Sequence, residues 1–384
     1  MRHINSVFHD ILKLVPWAVF DRLTAEHGAD GLVRSFTTRH QLIALLFGQL
    51  SGASSLRGIE AVMMSHGPRL YHVGAQAPKR STFADANRQR SSLVFSGLFD
   101  HLLATAPRGF RRKMGEAVRL IDSTGLRLAG RGAQWARFST DVFGAKAHVV
   151  YDPDAARPVY HAVTAATVND ISAAKQMPIE PSATYVFDLG YYDFGWWAEL
   201  DGQGCRLVTR FKSNTPLNKP RDMPLPPGSR VLADRIGFLP ARLAFSRNNP
   251  MSAAVREITV RTETGKQLRI LSNDLDAPAE EIAGLYKRRW QIELFFRVMK
   301  QTLKIEKFIG RSENAVRIQI AVALIAFLLL RLLQEISKVK HGFLELVRLV
   351  QANLMHRKDF TKLRQSTPPP PIDSQQLQLN WTTT

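Results

Sequence analysis

Tyr286-Lys287-Arg288-Arg289-Trp290-Gln291-Ile292-Glu293-Leu294-Phe295-Phe296-Arg297-Val298-Met299-Lys300 is the stretch on which the reading of this chain turns. No Gly or Pro interrupts it, and its spacing of apolar residues predicts one helix of about four turns. At about 100° per residue, Tyr286, Arg289, Glu293 and Lys300 fall within an arc of about 60°. Leu285, Ile292, Phe295 and Met299 occupy a separate arc and are expected to face a core. One face therefore offers a carboxylate flanked by two cations and a phenol. Periodicity alone reads this as a solvated face with an Arg289–Glu293 pair at i, i+4, which stabilises a helix by only a few tenths of a kcal/mol.

Two further carboxylates stand out by position. Asp122 follows Val118-Arg119-Leu120-Ile121, and Asp188 follows Tyr185-Val186-Phe187. Each is expected at the end of an apolar strand, where an unpaired charge is costly and calls for a Lys, an Arg or a metal ion. Asp152, Asp154, Asp170 and Asp193 are competitors of the same kind. Asp170 is the strongest, because it too closes a strand.

Outward from these residues the chain divides into three expected parts. Residues 1–110 read as helical, with Val7, Ile11, Leu12 and Leu14, then Leu42, Ile43, Leu45, Leu46 and Leu50, at helix spacing. Ser55 to Met64 forms one helix. A second begins at Ser81, with Thr82 and Asp85 at capping-box spacing. Asn87, Arg88 and Arg90 on that second helix suit a reader of DNA base edges, and equally the solvated face of a helical bundle. Arg108, Arg111, Arg112 and Lys113 make a basic connector.

Residues 111–340 read as a mixed α/β sheet. Strands are expected at Val118–Leu128, Lys146–Tyr151, Pro158–Thr164, Thr184–Phe187 and Arg206–Phe211, with helices after Asp170 and at Trp196–Leu200. A Pro-dense, β-rich inserted subdomain is expected over about 215–266, with strands at Arg242–Phe245 and Val255–Val260. Gln267–Leu271 then returns to the main sheet. Residues 341–384 read as a C-terminal helix and a Pro-, Gln- and Thr-rich tail without packed structure.

Composition narrows the partners. The formal charge is +19 over 384 residues, which points to a polyanion such as nucleic acid, since each cation placed near a phosphate releases a counterion. The single cysteine, Cys205, excludes an internal disulfide framework and a cysteine-rich zinc site. No signal peptide is evident at the start. The longest apolar run, Ile318–Leu330, is short of the roughly 20 residues of a membrane span and reads as a buried core helix. A cytoplasmic, nucleoid-associated bacterial protein with no membrane partner is the expectation.

The pattern Tyr286-x2-Arg289-x3-Glu293-x6-Lys300 resembles, position for position, the signature of the insertion-sequence-4 family of bacterial cut-and-paste transposases. Asp122-Ser123-Thr124 resembles that family's first aspartate motif, and Asp188-Leu189-Gly190-Tyr191 its second. Asp188 lies 66 residues after Asp122, and Glu293 105 after Asp188; the longer gap accommodates the family's β-rich insertion. Ser55-Leu56-Arg57 and Arg80–Asn87 resemble the helical domain often found in front of it.

The resemblance implies an RNase H-like fold in which Asp122, Asp188 and Glu293 are catalytic and bind two Mg²⁺, with Mn²⁺ a possible substitute. Hard oxygen ligands select such ions over zinc. It implies that Tyr286, Arg289 and Lys300 hold DNA phosphates near the cut. The partners would be double-stranded DNA, as terminal inverted repeats and target, and a second copy of the chain on paired ends. The donor end could pass through a hairpin, as in relatives that stack a flipped base on an aromatic residue of the insertion. Residues 215–266 contain no Trp, which leaves Phe238, Phe245 and Trp290 as candidates, each equally a packing residue. Sheet packing is the expected role of His148 and His161. Three other readings stay open: a related nuclease without strand transfer, an inactive or domesticated transposase that only binds DNA, and a non-catalytic RNA-binding protein, which would give Glu293 no role.

Overall fold

The computed structural model describes residues 5–31, 33–53, 55–105, 117–128, 134–137, 143–225, 228–242, 248–262, 264–303, 309–338, 342–357 and 363. The basic connector, Phe245 and the tail beyond 363 lie outside the described residues.

The front of the chain folds into α1 (Val7–Leu12), α2 (Trp17–Glu26), α3 (Thr38–Ser51), α4 (Leu56–Ser65), α5 (Gly67–Leu70), α6 (Arg80–Gln89) and α7 (Leu93–Thr105). Helix α3 starts at a reciprocal cap, in which Thr37 accepts from the His40 amide and the His40 ring accepts from the Thr37 amide. It stops at Gly52, whose φ of +73° is the left-handed conformation that ends many helices. Ser55 caps α4 by accepting from the Gly58 amide at 3.0 Å. The capping box expected at Thr82 and Asp85 does not form. Helix α6 begins earlier, at Arg80, where Glu60 of α4 accepts from the Arg80 amide at 3.2 Å. Asp85 instead pairs with Arg88 at 2.7 Å.

Among the described residues, nine strands form one sheet in the order β3-β2-β1-β4-β5-β9-β8-β7-β6. They are β1 (Val118–Leu128), β2 (Phe143–Asp152), β3 (Arg157–Ala165), β4 (Thr184–Phe187), β5 (Arg206–Arg210), β6 (Asn218–Asp222), β7 (Val231–Phe238), β8 (Ala254–Arg261) and β9 (Gln267–Ser272). A meander of β3, β2 and β1 is followed by parallel β4 and β5 beside β1, which is the RNase H-like arrangement. The short helices α8 (Asp170–Ala174) and α9 (Phe194–Gly202) connect these strands.

The insertion is not set apart from that sheet. Strand β9 pairs antiparallel with β5, and β8, β7 and β6 extend the same sheet outward. Strand β6 escaped the sequence reading because it is a fully exposed edge, Asn-Lys-Pro-Arg-Asp, with no apolar alternation. Pro220 is tolerated there because an edge strand leaves one side of its backbone unpaired.

Helices α10 (Ala279–Arg288), α11 (Trp290–Arg297), α12 (Glu313–Ile336) and α13 (Phe343–Asn353) complete the fold. Helix α12 has 24 residues, long and apolar enough by composition to cross a bilayer, yet 83% of its most apolar window is covered by protein. It packs against α3, α6, α7, α13 and β3, as expected of a core helix. Its Asn314 side chain donates to the carbonyls of Asn87 at 3.0 Å and Arg90 at 2.6 Å, and accepts from the Ser92 amide at 3.1 Å. The front helices, α12 and one face of the sheet thus share a single hydrophobic core. The aromatic cluster of Tyr185, Phe187, Tyr191, Trp196 and Trp197 fills the other face.

Candidate active site

The pleat of the sheet decides where the aspartates point. Side chains two residues apart share a face. Val118, Leu120 and Leu126 of β1 and Val186 of β4 belong to the core beneath α12, whereas Ile121, Tyr185 and Phe187 belong to the aromatic cluster. Asp122 therefore faces the helical side. Asp188, one step past the end of β4, continues the register of Val186. Leu120 pairs with Val186 in the parallel ladder, so two residues further along Asp122 comes alongside Asp188. The expectation that Asp122 ends a strand needs correction, since β1 runs on to Leu128 and Asp122 sits within it, opposite Val149. What ends there is its pairing with β4.

Glu293 arrives on the same face through α11. Ile292 and Phe295 are buried, and the Phe295 ring lies 5.1 Å from both Tyr151 of β2 and Phe327 of α12. This anchor seats α11 over β1, and burying such a ring is worth about 3–5 kcal/mol against truncation to Ala. The predicted core arc, Leu285, Ile292, Phe295 and Met299, is buried throughout.

The helix is not a single regular cylinder. It breaks at Arg289, where the Arg289 and Ile292 amides reach back only three residues, and it widens into a π-turn over Val298–Thr302. Such wide turns inside helices recur at functional sites.

Arg289, at the break, faces both carboxylates. Its Nη2 donates to Glu293 Oε1 at 2.5 Å, and its Nη1 stands 3.6 Å from Asp122 Oδ2. The guanidinium also lies 5.8 Å from the centre of the largely buried Tyr286 ring. Burial pushes the Asp122 carboxyl up to about 6; the Ser123 amide and Arg289 oppose the rise, and the charges of Asp188 and Glu293 add to it. Burial likewise raises the Tyr286 phenol. Lys300, in the π-turn, lines a small cavity together with Thr124 of β1 and makes no ion pair among the described residues.

Asp170 does not replace Asp188, but it borders the site. Its Oδ1 accepts from Ser123 Oγ at 2.8 Å and from Lys146 Nζ at 3.1 Å, and His148 Nδ1 is 3.8 Å away. Gly190 separates it from Asp188: a Cβ there would meet Asp170 Oδ2 and Asp188 Oδ1, each at 3.1 Å. The Tyr191 phenol is buried among Asp122, Asp170 and Asp188, and burial holds its pKa well above the usual range. Arg210 was missed. It follows Thr209, which pairs with Phe187, so it comes alongside Asp188, exposed at the end of β5. Its signal was a cation closing the third strand of the same sheet edge.

Other expectations fare differently. Trp290 is 53% exposed beside Arg289, and Phe238 is 44% exposed at the end of β7, so neither is a core residue. His148 is buried against Thr164 and His161 packs edge-on against Phe99, both within the sheet region as expected.

The helix α6 contacts require correction. Asn87 is buried and accepts from Gln41 at 2.8 Å. Arg90 is buried too; it donates to Gln41 at 3.0 Å and to the Phe36 carbonyl. Both are buried and committed to internal hydrogen bonds, not exposed as a base-reading contact requires. Only Arg88 is exposed, and Asp85 holds it.

Asp122, Asp188 and Glu293 thus lie on the helical face of an RNase H-like sheet, with Arg289 reaching toward the first and the last. The chain belongs to the transposase DDE domain family, whose model matches residues 113–329; that makes it a DNA transposase by class. A domain of unknown function (DUF4372) matches residues 3–76. The chain is 37% identical over 302 residues to a Sinorhizobium fredii protein named as transposase y4zB, covering 77% of this chain and 82% of that one. It is 26% identical over 323 residues to a Geobacillus stearothermophilus protein assigned as the transposase of insertion sequence element IS5377, covering 82% of each. The solved structure of the piggyBac transposase synaptic complex with hairpin DNA aligns with 95% of this chain and 81% of that chain, at TM-score 0.45 and 12% identity.

Proposed function

We propose that this protein is the transposase of a bacterial insertion sequence, which binds terminal inverted repeats and catalyses divalent-metal-dependent cut-and-paste cleavage and strand transfer. The observation that carries the reading is that the β1–β4 register brings Asp122 alongside Asp188, while Arg289 links Asp122 to Glu293 on the same face of the sheet.

The donor set fits a hard divalent cation, Mg²⁺ with Mn²⁺ as substitute, because all three side chains offer oxygen. Among the described residues no three His, Cys, Asp or Glu side chains stand gathered tightly enough to hold an ion. Arg289 pairs with Glu293 and lies near Asp122, so an ion bound by these carboxylates would compete with its guanidinium. When bound, a pair of such ions supplies activation of the attacking oxygen and stabilisation of the departing 3′-oxygen in an in-line displacement.

The chain's own residues do the rest. Arg289, once released, offers a planar fork that suits two phosphate oxygens, and Lys300 offers a point charge. Tyr286, beside Arg289 and within the influence of Asp188, holds the DNA strand against the same face. Paired ends call for two copies of the chain on DNA. The test is to incubate the purified protein and Mg²⁺ with a plasmid carrying the DNA that flanks its gene. Excision of the flanked segment and its joining to a target support the proposal. Cutting without joining reduces the protein to a nuclease.

A further inference from the structure

Away from the catalytic face, a cavity of about 110 Å³ opens where the start of α1, the turn after α5 and the end of the described C-terminal segment meet. About 10–15 Å³ of such space holds one water, so the cavity is ample for a phosphate-sized group. Ser6, His9, Arg69, His72 and Arg357 line it, and among the described residues no carboxylate does. Neither the Arg69 nor the Arg357 guanidinium has a side-chain partner among the described residues.

The walls are held in place by backbone. The Val7 and Phe8 amides donate to the carbonyls of His356 at 3.1 Å and Leu354 at 2.8 Å, Ser6 bridges to Arg357, and the His9 ring is fixed at 2.8 Å by the His72 carbonyl. Two arginines lining a cavity with no carboxylate among its described residues suit phosphate oxygens, which a guanidinium can take bidentately.

We infer that this cavity seats one phosphate of the DNA backbone, making the start of α1, the turn after α5 and Arg357 together a backbone clamp. Asn87 and Arg90 are buried, so the clamp is the contact that the front of the chain offers to DNA in their place. The inference rests on the proposed function only in naming DNA as the source of the phosphate. Its test reads binding in EDTA, where no cleavage occurs, so its failure stays distinct from failure of the active-site reading.

The full chain and its Arg69→Gln/Arg357→Gln variant are titrated with the terminal repeat and a scrambled duplex at two salt concentrations. The expected result is an equal fold-loss on both duplexes and a salt slope reduced by about one unit. Thermal melting of the variant should match the parent, since both side chains are exposed and have no side-chain partner among the described residues. Unchanged affinity and slope overturn the inference. In a second arm, inorganic phosphate is added to each protein. If it stabilises the parent and not the variant while the DNA slope stays unchanged, the cavity is a free-anion site and the DNA assignment falls.

Discussion

Arg289 Nη1 stands 3.6 Å from Asp122 Oδ2, across the gap between a core strand and the helix laid over it. Because the same guanidinium donates to Glu293 at 2.5 Å, one cation holds the two carboxylates that the proposed chemistry needs to open toward a metal. Arg289→Ala should leave Mn²⁺ affinity in the absence of DNA equal to or tighter than that of the parent, while terminal-repeat affinity falls several-fold. Calorimetric titration of Mn²⁺ checks the first and a binding titration the second. A variant that loses Mn²⁺ would show Arg289 to be a scaffold for the carboxylates rather than their counter-ion.

The Asp122 carboxyl carries a proton up to about pH 6, chiefly because it is buried. A carboxyl whose folded pKa is raised destabilises the fold as pH rises from the ordinary carboxylate range through about 6, since the folded state then gives up a proton the unfolded chain has already lost. A divalent ion binding to Asp122 must displace that proton below about pH 6. Mn²⁺ affinity is therefore expected to rise with pH through this window, with proton release detectable as a buffer-dependent heat. Asp122→Asn should abolish the release; a release of unchanged size would assign the proton to another group.

The Lys146–Asp170 pair borders the site, at 3.1 Å. Asp170→Asn keeps an oxygen for Ser123 but leaves the Lys146 charge free to compete for Asp122 and Asp188. Metal-dependent cleavage should fall at least tenfold, and Lys146→Met in the same chain should restore part of it. A double variant no better than the single one would mean that Asp170 matters through shape and not charge.

Much of this candidate site's placement was legible in the sequence because the spacing of Tyr286, Arg289, Glu293 and Lys300, and the apolar segments leading to Asp122 and Asp188, are local features. The strands at 184–187 and 206–210 and the buried run inside α12 followed from the same kind of pattern. What escaped was tertiary. The start of α6 is set by Glu60 from another helix, so the local cap at Thr82 misled. Asn87 and Arg90 look solvent-facing in sequence, yet Gln41, 46 residues before Asn87, buries both in a hydrogen-bond network. Edge strand β6 has no apolar pattern to read, and the break at Arg289 occurs in a run of good helix formers.

The insertion is tied to the start of α10 by a buried pair. Asp234 and Arg256 meet at 2.7 Å with little exposure, and Arg256 also donates to the carbonyls of Leu275 and Ala277, just before α10. Asp234→Ala leaves the Arg256 charge uncompensated and should cost about 3–5 kcal/mol. Trp290→Ala, at an exposed position, should stay within about 0.5 kcal/mol. Urea unfolding of the two variants compares them directly, and equal midpoints would contradict the assignment of Asp234 as a clamp.

The most direct test of the three-carboxylate site is to measure Mg²⁺-dependent cleavage and terminal-repeat binding side by side for Asp122→Asn, Asp188→Asn and Glu293→Gln. The account predicts that each variant loses cleavage by several orders of magnitude while binding the repeat within a few-fold of the parent. Cleavage retained in any one of them would remove that residue from the catalytic set and contradict the site as assigned.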